Sequence, residues 1–157
     1  MKQVLHLDRA KGQILFTAVG RNPGENPYHH HVCKVGVNGD GFVDLTPGDA
    51  HHEVLFSPDR RTLIDTASRV DRSPLFTLRS AADGRRLAVL GAADTTELVK
   101  AGWQPARPFV AKDRESKFDI WGVVTRPHPF DPRKKYPVIE NIYAGPHGSF
   151  APRSFNW

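Results

Sequence analysis

The feature that most constrains this chain is a repeat. Two sets of four short β-prone segments follow one another, punctuated by turn residues at matching places. In the first set, residues 3–7, 13–19, 28–37 and 42–45 carry the apolar and β-branched side chains that favour strands. They are separated by Asp8-Arg9-Ala10-Lys11-Gly12, by Gly20-Arg21-Asn22-Pro23-Gly24 and by Asn38-Gly39-Asp40-Gly41. The second set, residues 52–56, 62–67, 75–79 and 87–90, breaks at Ser57-Pro58-Asp59-Arg60, around Asp71 and at Ala82-Asp83-Gly84. Asp40-Gly41 and Asp83-Gly84 lie 43 residues apart, and Asp49 and Asp94 lie 45 apart. A period of about 40 to 50 residues with four strands per unit is the mark of β-propeller blades. A propeller closes with about four to eight blades, so two units predict an incomplete one. The 13 Gly and 13 Pro among 157 residues fit this reading, because they supply turns and disfavour long helices.

Composition removes several alternatives. With 39% hydrophobic residues, 25% charged residues and 9 Phe, the chain is not of disordered type. No apolar run approaches the roughly 20 residues of a membrane-spanning helix, and residues 1–8 carry no signal-peptide core. The net charge of +5 is scattered over turns: Arg133-Lys134-Lys135 follows Asp131, and Arg60-Arg61 and Arg85-Arg86 each follow an acidic turn residue. Nucleic acid is therefore not an expected partner. The single cysteine, Cys33, excludes an internal disulfide and a cysteine-based zinc site, and its place within a strand predicts a small core residue.

The pattern changes after residue 90. Asp94-Thr95-Thr96-Glu97 is a capping sequence, and Gly102 is a stop, so residues 94–102 predict a short connecting helix. Residues 108–111 and 119–125 predict a hairpin across the polar turn at 112–117. Residues 138–143, Val-Ile-Glu-Asn-Ile-Tyr, predict a further strand led in by Tyr136-Pro137.

This last part carries a resemblance. Lys134-Lys135-Tyr136-Pro137-Val138-Ile139-Glu140, followed by Tyr143-Ala144-Gly145-Pro146-His147-Gly148, resembles the opening of the catalytic domain of prolyl oligopeptidase family serine peptidases, in the dipeptidyl peptidase IV branch. Phe155-Asn156-Trp157 is similar to what that branch carries next, and Phe56-Ser57-Pro58-Asp59 is similar to a strand and turn common in its propeller. The resemblance implies a mostly β chain: residues 1–92 as the last two four-stranded blades of a partial propeller, 93–108 as a linker with a short helix, and 109–157 as the truncated start of an α/β-hydrolase domain. Arg60 departs from the family's glycine at that turn, where a left-handed backbone costs a side chain on the order of 1 kcal/mol.

The chemistry of this fold needs a serine on a Gly-x-Ser-x-Gly elbow, then Asp, then His. The serines are Ser57, Ser68, Ser73, Ser80, Ser116, Ser149 and Ser154, and none has that context. Ser149 follows Gly148 but sits in a loop after an early strand, and His147 precedes it in the wrong order for a triad. The nucleophile, Asp and His are thus expected outside this chain, as are the glutamates that hold a substrate's amino terminus in the branch. One catalytic part is implied by the resemblance: Tyr143, matching the tyrosine whose phenol donates to the oxyanion. Such a donor lowers the barrier by roughly 3 to 4 kcal/mol.

The histidine runs His29-His30-His31 and His51-His52 stand at two strand entries, with His29 and His31 on one face. Histidines at strand entries are usually solvent-facing or satisfied locally, and a zinc site needs three or four convergent ligands, so no metal and no cofactor is expected. Two functions stay open. One is a fragment of a serine-type dipeptidyl peptidase that hydrolyses short peptides after proline through an acyl-enzyme, inactive as this chain alone and periplasmic or secreted when intact. The other is a non-catalytic, propeller-derived binding module. The resemblance also implies a peptide substrate and frequent dimerisation, and the unpaired sheet edges of a partial propeller predict association.

Overall fold

In the computed structural model the described residues are 1–143, 145, 148 and 150–156. The first sheet is an antiparallel meander of β1 (Gln3–Asp8), β2 (Gln13–Ala18), β3 (His31–Gly36) and the two-residue β4 (Val43–Asp44). The second repeats it with β5 (His51–Phe56), β6 (Thr62–Arg69), β7 (Arg72–Ser80) and β8 (Arg86–Ala92). A helix of one turn, α1 (Thr96–Lys100), follows, and then a hairpin of β9 (Arg107–Lys112) and β10 (Asp119–Val124). The four-strand repeat is therefore real, each sheet is open, and the architecture is mostly β and propeller-like.

Register explains how the sheets meet. Leu15 and Thr17 on β2 pair with Lys34 and Val32 on β3, so these four side chains share one face. On β6, Leu63 pairs with Phe56 and Asp65 with Val54, which puts these on one face of the second sheet. The two faces close on each other: Val32, Leu45 and Leu63 form one buried cluster with Leu15, Val43, Val54, Phe56 and Ala81 packed around it. The seam is fastened by Lys34 Nζ, which donates to the carbonyls of Ala81 (3.2 Å) and Ala82 (2.5 Å). The opposite face of the first sheet holds Phe16, Ala18 and Cys33, with Phe42 edge-on to Phe16 at 6.4 Å.

Two turns are dictated by single residues. Arg60 has φ of 54°, the left-handed backbone expected at the Ser-Pro-Asp turn. Its chain reversal is held by Ser57 and Asp59, whose side chains take the backbone N–H of Thr62 and Arg61 at 3.1 and 3.0 Å. Gly84 has φ of 74° between β7 and β8, and a Cβ there would stand 2.6 Å from the Asp44 carbonyl oxygen. Only glycine lets the second sheet's hairpin approach β4 this closely.

Two expectations need correction. The helix is shorter than 94–102, and its N-cap, Thr95, makes no side-chain capping bond. Asp94 instead receives the Thr96 N–H at 2.8 Å. More telling, residues 138–143 form no strand. Val138 and Ile139 are 91% and 93% exposed. A strand is stable only when its backbone groups find a partner, and none of the described strands pairs with this segment. Beyond it the chain folds back on the sheets: Phe155 N–H donates to Ser68 Oγ at 2.9 Å, and its ring lies 5.2 Å from Trp103.

Candidate functional site

Tyr143 is half exposed, and its ring lies 6.2 Å from that of Phe150. The phenol folds back over Gly145, where a Cβ would fall 2.2 Å from the Tyr143 hydroxyl oxygen, so glycine at 145 is what admits this placement. His147 and Ser149, the other side chains singled out here, lie outside the described residues. The sequence expectation for Tyr143 rests on the matching segment, and this geometry neither adds a second donor nor removes the first.

The larger concentration of chemistry lies where β3 and β5 begin. His29, His31, His51 and His52 are all buried, 5%, 2%, 4% and 3% exposed, so of the two expectations, solvent-facing or locally satisfied, the first is corrected. Their burial is compensated by partners both near in sequence and farther along the chain. His31 has Glu25 Oε2 at 3.1 Å from Nε2 and the Thr46 carbonyl at 3.2 Å from Nδ1. His52 has Asp65 Oδ1 at 2.8 Å from Nδ1 and the Gly48 carbonyl at 3.1 Å from Nε2. Both nitrogens of each ring thus lie within hydrogen-bond reach of oxygen acceptors. Asp65 is fully buried, and its other oxygen receives Arg79 Nε at 2.8 Å. A buried carboxylate held by a histidine and an arginine is paired on both sides, as burial of a charge requires.

His30, His51 and His29 are of a different kind. His30 and His51 meet across the seam with ring centroids 4.4 Å apart and planes tilted by 53°. His51 Nδ1 accepts the backbone N–H of His30 at 3.2 Å, so that nitrogen carries no proton. His30 Nε2 faces the Lys2 ammonium at 2.9 Å and the Arg153 guanidinium at 3.2 Å, and a lone pair facing cations is likewise unprotonated. Burial, followed by the charges of Lys2 and Arg153, depresses His30 to a pKa of about 4. Burial, followed by His30, depresses His51 to about 3. His29 is lowered chiefly by burial, although Asp49 Oδ1, 3.3 Å from its Nδ1, acts in the opposite direction. That nitrogen is buried without an aligned hydrogen bond.

Asp49 also pairs with Arg69, which is clasped by Asp71 at 2.9 Å. Beside this pair is a small cavity of about 100 Å³, bounded by His29, Asp49, Arg69, Trp121 and Arg153. It brings the two sheets, the β9–β10 hairpin and the C-terminal segment to one place. Cys33 is fully buried, and burial pushes its thiol up to about 11, which matches its expected role as a core residue.

Sequence reading missed both the Asp65–His52 pair and the Asp49–His29 contact. One signal was present: along β6, Leu63, Asp65 and Ala67 share the buried face, and an aspartate in an apolar alternation demands a buried partner.

No family model matches this chain. Solved structures share its fold, two of them dipeptidyl peptidase structures. Dipeptidyl peptidase 4 of Porphyromonas gingivalis superposes with a TM-score of 0.72 at 19% sequence identity, covering 98% of this chain and 21% of that one. A putative dipeptidyl aminopeptidase IV of Bacteroides ovatus superposes with a TM-score of 0.69 at 23% identity, covering 97% of this chain and 21% of the other. The chain therefore spans about a fifth of the length of the structures it matches.

Proposed function

We propose that this chain is the junction between a β-propeller and an α/β-hydrolase domain in a serine-type peptidase of the dipeptidyl peptidase IV kind, within the prolyl oligopeptidase family. In this reading residues 1–92 are the last two blades, residues 93–108 carry the linker helix, and residues 109–157 open the catalytic domain. The observation that carries it is the shared fold, which runs across 98% of the chain into a dipeptidyl peptidase and includes sheets, helix and hairpin in one superposition. The Tyr143-Ala144-Gly145-Pro146 segment supports it independently in sequence.

The reaction of the intact protein is hydrolysis of short peptides after proline. A serine attacks the scissile carbonyl, histidine accepts its proton, and the carbonyl oxygen gains negative charge that must meet prearranged donors. Tyr143 supplies one donor through its phenol, and the backbone N–H after the nucleophile supplies the other. The nucleophile, Asp and His belong to residues outside this chain, which is inactive alone. The test is Tyr143→Phe in the full-length protein, assayed with a dipeptidyl substrate. Turnover falls by about two to three orders of magnitude with little change in KM. Unchanged turnover removes Tyr143 from the oxyanion site, and a full-length protein with no Gly-x-Ser-x-Gly elbow removes the peptidase reading in favour of a binding module.

A further inference from the structure

The histidine pair at the seam carries an inference that does not depend on any catalytic role. Among the contacts between the two sheets, two are unlike in kind. At one end lies the apolar cluster of Val32, Leu45 and Leu63, with Lys34 clamped on Ala81 and Ala82. At the other, the His30 and His51 rings lie 4.4 Å apart in a tilted contact, the His30 N–H donates to His51 Nδ1, and the His52 N–H donates to the His30 carbonyl at 3.0 Å. We propose that the His30–His51 contact is a proton-operated latch between the two sheets, closed while both rings are neutral and opened by acid at this end of the seam alone.

The geometry requires it in two ways. A proton on His51 Nδ1 removes the acceptor of the His30 N–H and turns that contact into a donor against a donor. A proton on His30 Nε2 places an imidazolium against Lys2 and Arg153, adding a third positive charge. The charges around the pair come from every side. Lys2 precedes β1, and Arg153 comes from the C-terminal segment. His29 and His31 lie beside His30, and His52 beside His51. Glu53 Oε1 lies 3.7 Å from His51 Nε2 but is largely exposed, so water screens it. The positive neighbours oppose protonation of both rings.

The sign follows from linkage. Both rings titrate below the ordinary histidine value when the seam is closed and near it when the seam is open, so the open form binds more protons. The latch is fully closed above about pH 6.5 and weakens progressively as the pH falls toward 4.

The experiment is amide hydrogen exchange on the full 157-residue chain at about pH 7 and about pH 4.5, corrected for the intrinsic pH dependence of exchange. Protection at residues 29–31 and 50–53 falls by at least about tenfold, while residues 54–56 and 62–64 at the apolar end keep theirs. His51→Asn places Oδ1 where Nδ1 stood and cannot be protonated, and His30→Gln does the same for Nε2. Each variant reduces the acid-induced loss. The latch is overturned by unchanged wild-type protection at about pH 4.5, by equal losses in the wild type and both variants, or by uniform loss across both sheets. Should one variant fail to fold, the imidazole NMR titration of the wild type decides. Ring titrations near the ordinary histidine value, with the seam still protected, overturn the proposal.

Discussion

The seam and residues 138–143 are written in the same residue types and end in opposite states. Val32 and Leu45 are 3% and 0% exposed, whereas Val138 and Ile139 stand almost wholly in water. The difference lies in partners rather than in propensity. Val32 has β2 and β4 on either side and a second sheet over its face, while residues 138–143 have no neighbouring strand among the described residues to take their backbone groups. β-propensity describes fitness for a pleated, half-buried surface, and it has no effect where that surface is missing.

This contrast can be broken or sharpened by mutation. The largest effect is expected at Asp65. Asp65→Ala leaves Arg79 and His52 without their carboxylate inside the second sheet and costs about 3 to 5 kcal/mol, read as the denaturant midpoint at constant slope. A cost under about 1 kcal/mol means that water reaches the site. Next, Leu45→Ala opens a cavity in the seam and costs about 2 to 5 kcal/mol in the same experiment. The smallest effect belongs to the exposed segment. Ile139→Ser changes stability by no more than about 0.5 kcal/mol, and a loss comparable to that of Leu45→Ala would show that residues 138–143 dock on something in solution.

Much of the fold was legible because the signals were local. All eight sheet strands follow from alternation and from turn residues that occupy the same place in both repeats, whereas the left-handed turn at Arg60 was expected from the glycine that the resembling family carries there. Strand ends were less so: β7 starts at Arg72 rather than at residue 75, because β6 and β7 are joined by a tight turn that lets Arg69 pair with Arg72. The histidines were misjudged for a different reason. Their carboxylates arrive from elsewhere in the chain, Asp49 from the loop before β5 and Asp65 from the neighbouring strand, and only the register brings them together. The strand expected at 138–143 failed on the same principle, since its partner is not a property of the segment itself. Tyr143 is the reverse case: the role proposed for it rests on a segment match alone, and its geometry shows how Gly145 admits the ring.

The first sheet also carries a chemical clock. Cys33 is the chain's one cysteine, it is fully buried between β2 and β4, and its thiol is pushed up to about 11. At neutral pH only about one such thiol in ten thousand is ionised, and the thiolate is the reactive species. An alkylating reagent therefore meets Cys33 only when β2, β3 and β4 part, so the rate of its labelling counts the openings of that sheet one molecule at a time.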